Sequence, residues 1–524
     1  MELKMKTNRI QQGILCFILA TLSATGLAQT KTARPKISPS NQAVLNRISA
    51  DSLRGHLSFI ASDLLEGRAT PSRGLDIAAE YIAAQFRRAK LEPVGDDGYF
   101  QTATWAQMAP NLTGFSLLLE QEGRTISVAP SQISFAWDQE LKVANAKLIK
   151  VDYPDATALA SLTAEQVAGN IIIAEIPDFR RADRAQWGEL SRAQNSFLTK
   201  VRALKPALIV SLDRQSTTGA GLSSKRLIDP ERRQSFNVPM PLLTLHDAAV
   251  VQLFDALKPG ASQASLTLNL PAAIEQPVKL RNVVGLLRGS DPKLKDTYVL
   301  VTAHYDHIGF QPARDGDSIA NGANDDGSGT VSVIELASAL TARKIRPKRS
   351  IVFMTVFGEE RGLLGSRYYG RHPIFPIEKT VADINLEQVG RTDDTEGSQV
   401  NRASMTGFDF SDVGEVFRQA GELTGITVFK HPKNSDDFFG RSDNQALADQ
   451  GVPAHTLCVA FVYPDYHGVG DHWDKVDYDN MARTNRMVAL GVLMIADNPI
   501  APKWNAANPK TARYVNAWKA QQQK

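Results

Sequence analysis

Cysteine is nearly absent from this chain. The 524 residues include two, Cys16 and Cys458. Cys16 lies in an N-terminal stretch that reads as removable, so no intrachain disulfide can brace the mature fold. Cys458 sits in an apolar run and reads as inert core. An excess of either charge is missing too: 59 Lys and Arg against 56 Asp and Glu leave a formal net charge of +3. No long basic run appears. That balance excludes the electrostatic footprint of a nucleic-acid binder or of a protein built for a strongly anionic surface. The apolar stretch Ile14–Leu22 is too short to span a bilayer comfortably, so no stable membrane anchor is expected.

The composition that is present is globular, with 43% hydrophobic residues. The length exceeds what one ordinary core organises, so two or more domains are expected. Lys4, Lys6 and Arg9 precede the Ile14–Leu22 run, and small residues follow at Ala24–Ala28. Residues 1–28 therefore read as a signal peptide cleaved after Ala28, which implies a periplasmic or secreted protein. Residues 29–44 are polar, contain Pro35 and Pro39, and read as a linker.

The chemistry concentrates in the second half. Tyr298–Thr302 is a short apolar run fit for a buried strand, and it leads into His304-Tyr305-Asp306-His307. A Gly- and Asn-rich loop, Asn321 to Gly329, precedes a segment of helical spacing from Thr330 to Arg343. A second apolar run, Ile351–Phe357, ends in Gly358-Glu359-Glu360. Metal-binding side chains thus fall where strands end, the usual place for sites in open α/β sheets. His, Asp and Glu supply the nitrogen and oxygen ligands that zinc accepts. Of two adjacent carboxylates, one can hold metal while its neighbour handles a proton.

These motifs resemble the co-catalytic di-zinc aminopeptidase family (clan MH), which also contains glutamate carboxypeptidase and glutaminyl cyclase. Its pattern is His-x-Asp, Gly-x-Asn-Asp-x-Gly-Ser-Gly, Glu-Glu, Asn-x-Asp/Glu and a late Tyr-His. The chain has His304-Tyr305-Asp306, Gly322 to Gly329, Glu359-Glu360, Asn385-Leu386-Glu387 and Tyr466-His467, in that order. The resemblance implies an α/β zinc-exopeptidase fold, with a mixed, mostly parallel central sheet flanked by helices, and two Zn2+ per chain. It implies His304 and Glu387 on one ion, Glu360 and His467 on the other, and Asp325 bridging both. Glu359 would be the general base and then the acid. Asp306 would orient His304, and Tyr466 would donate to the developing oxyanion. Many members have Asp where this chain has Glu387. Asp326, His307 and His472 are left in supporting roles, and Ser442-Asp443 in the pocket wall.

The resemblance also places residues 45–108 in the catalytic domain, as helices Ser52–Leu65 and Asp76–Lys90 around a Gly67-Arg68 turn. Residues 109–272 carry recurrent β-like runs and no acid/His cluster. They look like an inserted protease-associated (PA) domain, β-rich, with Val238-Pro239-Met240-Pro241 among its markers; an unrelated α/β insert is the alternative. Residues 273–503 complete the catalytic domain. Asn282–Leu287 is expected to form a hairpin with the strand ending at His304, Leu457–Val462 a late strand, and residues 504–524 a polar, peripheral tail.

The implied activity is that of a zinc aminopeptidase acting on peptides with a free N-terminus through a metal-bridging hydroxide. A glutamate-carboxypeptidase-like or dipeptidase activity stays open, because Arg361, Arg391 and Arg441 could bind a substrate carboxylate. Glutaminyl cyclase and an inactive binding module are the remaining alternatives.

Overall fold

The computed structural model describes residues 36–154, 159–178, 186–217, 219, 221–222, 227–231 and 242–523. The expected signal segment, its cleavage point and the 238–241 marker lie outside them. The chain forms a mixed α/β structure around two large sheets.

The central sheet runs, in spatial order, Leu227–Ile228, Phe100–Ala109, Ile274–Leu287, Ser350–Val356, Tyr298–His304, Thr380–Leu386, Ala454–Cys458, Arg402–Met405 and Thr427–Phe429. It is parallel at its centre, antiparallel in the pairs that flank the centre, and parallel again in the outermost pair Arg402–Met405 and Thr427–Phe429. Every residue of Tyr298–His304 and Ser350–Val356 is buried. Helices cover both faces of such strands, which is why these two read as unbroken apolar runs rather than alternating ones. Helix Ser328–Thr341 packs on them, joined in one core by Val413, Phe417, Met487 and Val488 from helices Val413–Thr424 and Tyr478–Asp497.

Four expectations need correction. Strand Ile274–Leu287 does not pair with Tyr298–His304; it pairs with Ser350–Val356 and Phe100–Ala109, both antiparallel. The central strand spends both its hydrogen-bonding edges on parallel neighbours, so the sequential strand is displaced one place outward. The linker ends early. Ser38 caps helix Pro39–Leu45, whose Val44 and Leu45 are buried. The late strand is Ala454–Cys458, ending before Val462. The tail is docked rather than peripheral: helix Ala512–Gln522 brings Tyr514 to stack on Trp504 at 4.9 Å, and Trp504 Nε1 donates to Gly451 O at 2.8 Å. A polar average over residues 504–524 hides these few anchoring side chains.

The second sheet is built wholly from residues 116–270. At its centre Leu141–Lys150, Ile171–Ala174, Leu208–Leu212 and Leu242–Leu245 run parallel. Phe197, Leu198 and Val201 of helix Trp187–Ala203 pack with Ile172 and Ile209, while Val250, Leu253 and Phe254 of helix Ala248–Ala256 pack with Ile171, Ile173 and Leu208. The segment that builds the second sheet also reaches the central one: its Leu227–Ile228 pairs with Ala106–Gln107 at the edge of the central sheet, beside the contacts Arg371–Asp229 and His372–Glu231 at 2.6 and 3.0 Å.

Candidate metal centre

Four parallel strands deliver the donors to one edge of the central sheet. Tyr298–His304 ends in His304, Ser350–Val356 leads to Glu359 and Glu360, Thr380–Leu386 to Glu387, and Ala454–Cys458 to the loop carrying Tyr466 and His467. Asp325 comes from the glycine-rich loop ahead of helix Ser328–Thr341. Gly322 in that loop has φ +56, and a Cβ there would lie 2.3 Å from Asp325 O and 2.4 Å from the His307 ring. Only glycine permits that approach.

Two groups of potential ligands result: His304, Asp325 and Glu387, and His307, Asp325 and Glu360, with ligand atoms in each group within 4.8 Å of one another. Asp325 belongs to both. Its Oδ1 lies 3.3 Å from His304 Nε2 and its Oδ2 lies 3.1 Å from His467 Nε2, which is also 3.5 Å from Glu360 Oε2. Donors at 2.0–2.1 Å from a tetrahedral ion stand about 3.3 Å apart, so these separations suit atoms that share a cation. His307 Nδ1 lies 2.7 Å from Glu360 Oε1, the spacing of direct contact between the two side chains. Both ring nitrogens of His307, His304 Nε2 and Glu360 Oε1 are buried with no aligned hydrogen-bond partner. Buried polar atoms in that condition call for an ion or water, and imidazole with carboxylate is the donor chemistry of zinc.

Like charges crowd the site. Burial pushes the Glu359 carboxyl well above its ordinary value, with Glu387, Asp443 and Glu360 adding to the push against the pull of His304. Burial also raises Glu387, to about 7. Burial acts on Asp325 in the same sense, but the approach of His304 and His467 outweighs it and holds that carboxyl well below the usual range. A dication would relieve this repulsion.

Asp306 is placed differently from the expectation. His304 Nδ1 is 3.1 Å from the Asp306 backbone carbonyl and 3.6 Å from its carboxylate. The carboxylate accepts instead from Glu359 N–H at 3.1 Å and Thr70 Oγ1 at 3.0 Å, so it fixes the backbone of Glu359. Tyr466 stacks on His467 at 4.0 Å and lines a cleft of about 450 Å³ with Glu359, Arg367, Phe438, Arg441 and Ser442. Asp443 lies buried behind that wall, bonded to Ser366. His472 Nε2 pairs with Asp317 at 3.3 Å, away from both groups. Of the candidate arginines, Arg391 is occupied by Asp393 and Asp465, Arg441 lies over the Phe438 ring, and Arg361 does not line the cleft.

Two supports escaped the sequence reading. Arg68 is fully buried and donates to the carbonyls of Ile60, Asn321, Gly322 and Tyr305 at 2.6–2.9 Å. Each acceptor left alone would cost about 1–3 kcal/mol, so this one side chain clamps the metal loop to the His304 loop. Asp471 accepts from the N–H groups of Asn324 and Asp325 and from Tyr463 Oη at 2.8 Å. The Gly67-Arg68 turn and an acid four residues after His467 were the available signals.

The fold and donors together define an α/β protein with two groups of potential metal ligands, sharing Asp325, at the carboxyl edge of its sheet. Residues 282–492 match the model of peptidase family M28, so this part of the chain is an M28 peptidase domain. It is 27% identical over 247 residues to aminopeptidase YwaD of Bacillus subtilis, covering 46% of this chain and 50% of the relative. It is 28% identical over 321 residues to a probable zinc metalloprotease of Pyricularia oryzae, covering 59% and 57%. The chain thus spans about half the length of these curated relatives. Among solved structures, BSAP, a zinc aminopeptidase from Bacillus subtilis, superposes with TM-score 0.54 at 18% identity, covering 87% of this chain and 97% of that one. An aminopeptidase from Aneurinibacillus gives 0.52 at 18%, covering 89% and 97%. These two likenesses concern the fold.

Proposed function

We propose that this protein is a zinc-dependent aminopeptidase that removes N-terminal residues from peptides. The observation that carries the reading is Asp325, shared by two donor groups at the floor of a cleft beside Glu359, a carboxylate that belongs to neither group. His304, Asp325 and Glu387 would hold one ion, and Asp325, Glu360 and His467 the other. Zinc, when bound, acidifies water and polarises a carbonyl. Glu359 takes the proton of the attacking water and returns it to the leaving amine. Tyr466 donates its hydroxyl to the carbonyl oxygen as charge develops there. Asp306 holds the Glu359 backbone in place for both transfers.

The names of the aminopeptidase relatives favour the N-terminal reading. Arg367 and Arg441 at the cleft keep a carboxylate-recognising peptidase as the second. A panel of aminoacyl anilides, N-acetylated peptides and C-terminally amidated peptides separates them. Free-amine substrates should be cleaved, acetylation should abolish cleavage, and amidation should be tolerated. Cleavage of acetylated peptides with loss on amidation overturns the proposal, and one zinc per chain without hydrolysis points to a cyclase.

The ligand assignment has its own test. His467→Ala should lower zinc content from near two toward one per chain, whereas His307→Ala should leave it near two; elemental analysis showing the reverse exchanges their roles. We further read residues 1–28 as an export signal. No helix among the described residues is long and apolar enough to cross a membrane. Exported protein should begin at Gln29 on N-terminal sequencing, and a retained Met1 on membrane-bound protein would sink the idea. Residues 109–272 are proposed as a PA-like insert that shapes access to the cleft.

A further inference from the structure

The second sheet has a cavity of its own. It measures about 580 Å³ and is lined by the ends of three parallel strands: Glu175 and Ile176 after Ile171–Ala174, Leu212 and Asp213 at the end of Leu208–Leu212, and His246 after Leu242–Leu245. The carboxyl edge of parallel strands is where α/β sheets place ligands. Ser134 reaches the same cavity from strand Ile133–Phe135, which pairs antiparallel with Leu242–Leu245.

Three of these side chains stand in series. Ser134 Oγ lies 2.9 Å from His246 Nε2, and His246 Nδ1 lies 3.1 Å from Asp213 Oδ2. The second contact is within ion-pair reach but not aligned as a linear hydrogen bond; catalytic contacts are often loose before substrate arrives. His246 is buried. The carriers are pinned by backbone bonds: Asp213 N–H donates to Leu245 O and His246 N–H to Gln132 O, both at 2.9 Å. The other Asp213 oxygen accepts from Gln215 N–H at 2.9 Å. A hydroxyl, an imidazole and a carboxylate joined through these atoms form the arrangement that activates a serine, recognised by geometry rather than by fold.

We propose that Ser134, His246 and Asp213 form a second nucleophilic site, separate from the metal centre, which takes small carboxylic esters. Ile176, Pro177, Leu190 and Leu242 line the cavity together with the charged Glu175, Asp178 and Arg214, and the apolar four give a short acyl group a surface to rest on. Ser134 Oγ attacks the ester carbonyl carbon while His246 Nε2 takes the hydroxyl proton. The carbon–oxygen bond to the alcohol then breaks, and the departing alkoxide receives that proton. Water attacks the acyl-serine, losing a proton to His246 that returns to Ser134 Oγ as the carboxylic acid leaves. The net change is ester plus water to acid plus alcohol. Asp213 holds the imidazole and offsets its charge. The side chains of Gln194 and Gln215, which line the same cavity, carry the amide donors that an oxyanion needs.

The test treats the full-length zinc-loaded protein with a fluorophosphonate and reads intact mass and peptide maps. One adduct on Ser134 is expected, absent in Ser134→Ala, with labelling about 100-fold slower in His246→Gln. Hydrolysis of p-nitrophenyl acetate should fall in parallel. Thermal melts accompany each variant, and Asp213→Asn carries the same comparison if His246→Gln does not fold. No adduct on Ser134 in the time a serine esterase labels to completion overturns the proposal. So does a folded His246→Gln protein that labels at the wild-type rate.

Discussion

Glu359→Gln should retain two zinc ions and lose peptide hydrolysis by at least about 10²–10⁴-fold, the range for removing a general base. Gln keeps the size of the side chain and its place in the cleft but cannot accept a proton. Glu359 lies in neither group of ligand atoms, whereas its neighbour Glu360 stands 3.5 Å from His467 Nε2. The Glu359 backbone is also held independently of its carboxyl, by the bond from its N–H to Asp306, so the substitution should not disturb the loop. Zinc content by elemental analysis and kcat/KM on an aminoacyl anilide check it. Loss of one metal along with activity would exchange the roles of Glu359 and Glu360.

Asp325→Ala should lose both metals and all measurable hydrolysis, while Asp326→Ala should keep the metals. Asp325 is the one side chain common to both donor groups. Without it, two dications would face each other with no charge between them, and both affinities should fall. Asp326 points elsewhere: its Oδ1 accepts the N–H groups of Gly329 and Gln388 at 2.9 and 3.2 Å. Its removal leaves two buried donors unsatisfied, at about 1–3 kcal/mol each, and loosens the residue next to Glu387. Lower thermal stability and at most about a 10–100-fold loss of activity are expected. A metal-free Asp326→Ala protein with a nearly normal Asp325→Ala protein would shift the register of this loop by one residue.

What the sequence by itself determined is the local chemistry. Runs such as Tyr298–Thr302 and Ile351–Phe357 are legible because buried parallel strands are apolar on both faces. Donors at their ends are legible because His, Asp and Glu are the ligand types that zinc accepts, and the motif order carried a resemblance covering five separate elements.

Only the tertiary structure decided what depends on which segments meet. Strand order is a property of both edges of a strand, so the sequential pair Ile274–Leu287 and Tyr298–His304 ended up separated by Ser350–Val356. Arg68 donates to the carbonyl of Asn321 and Asp306 accepts from the N–H of Glu359, backbone atoms distant in sequence, and a backbone carbonyl or N–H leaves no mark in residue identity. The same holds for Ser134, Asp213 and His246, which are ordinary residues in three unrelated stretches until the sheet brings them together. Trp504 and Tyr514 likewise look like isolated aromatics in a polar tail until they stack on each other and close the core. Local pattern records the environment of each residue. Partnership across the chain is set by hydrogen-bond edges and by which surfaces are left to bury.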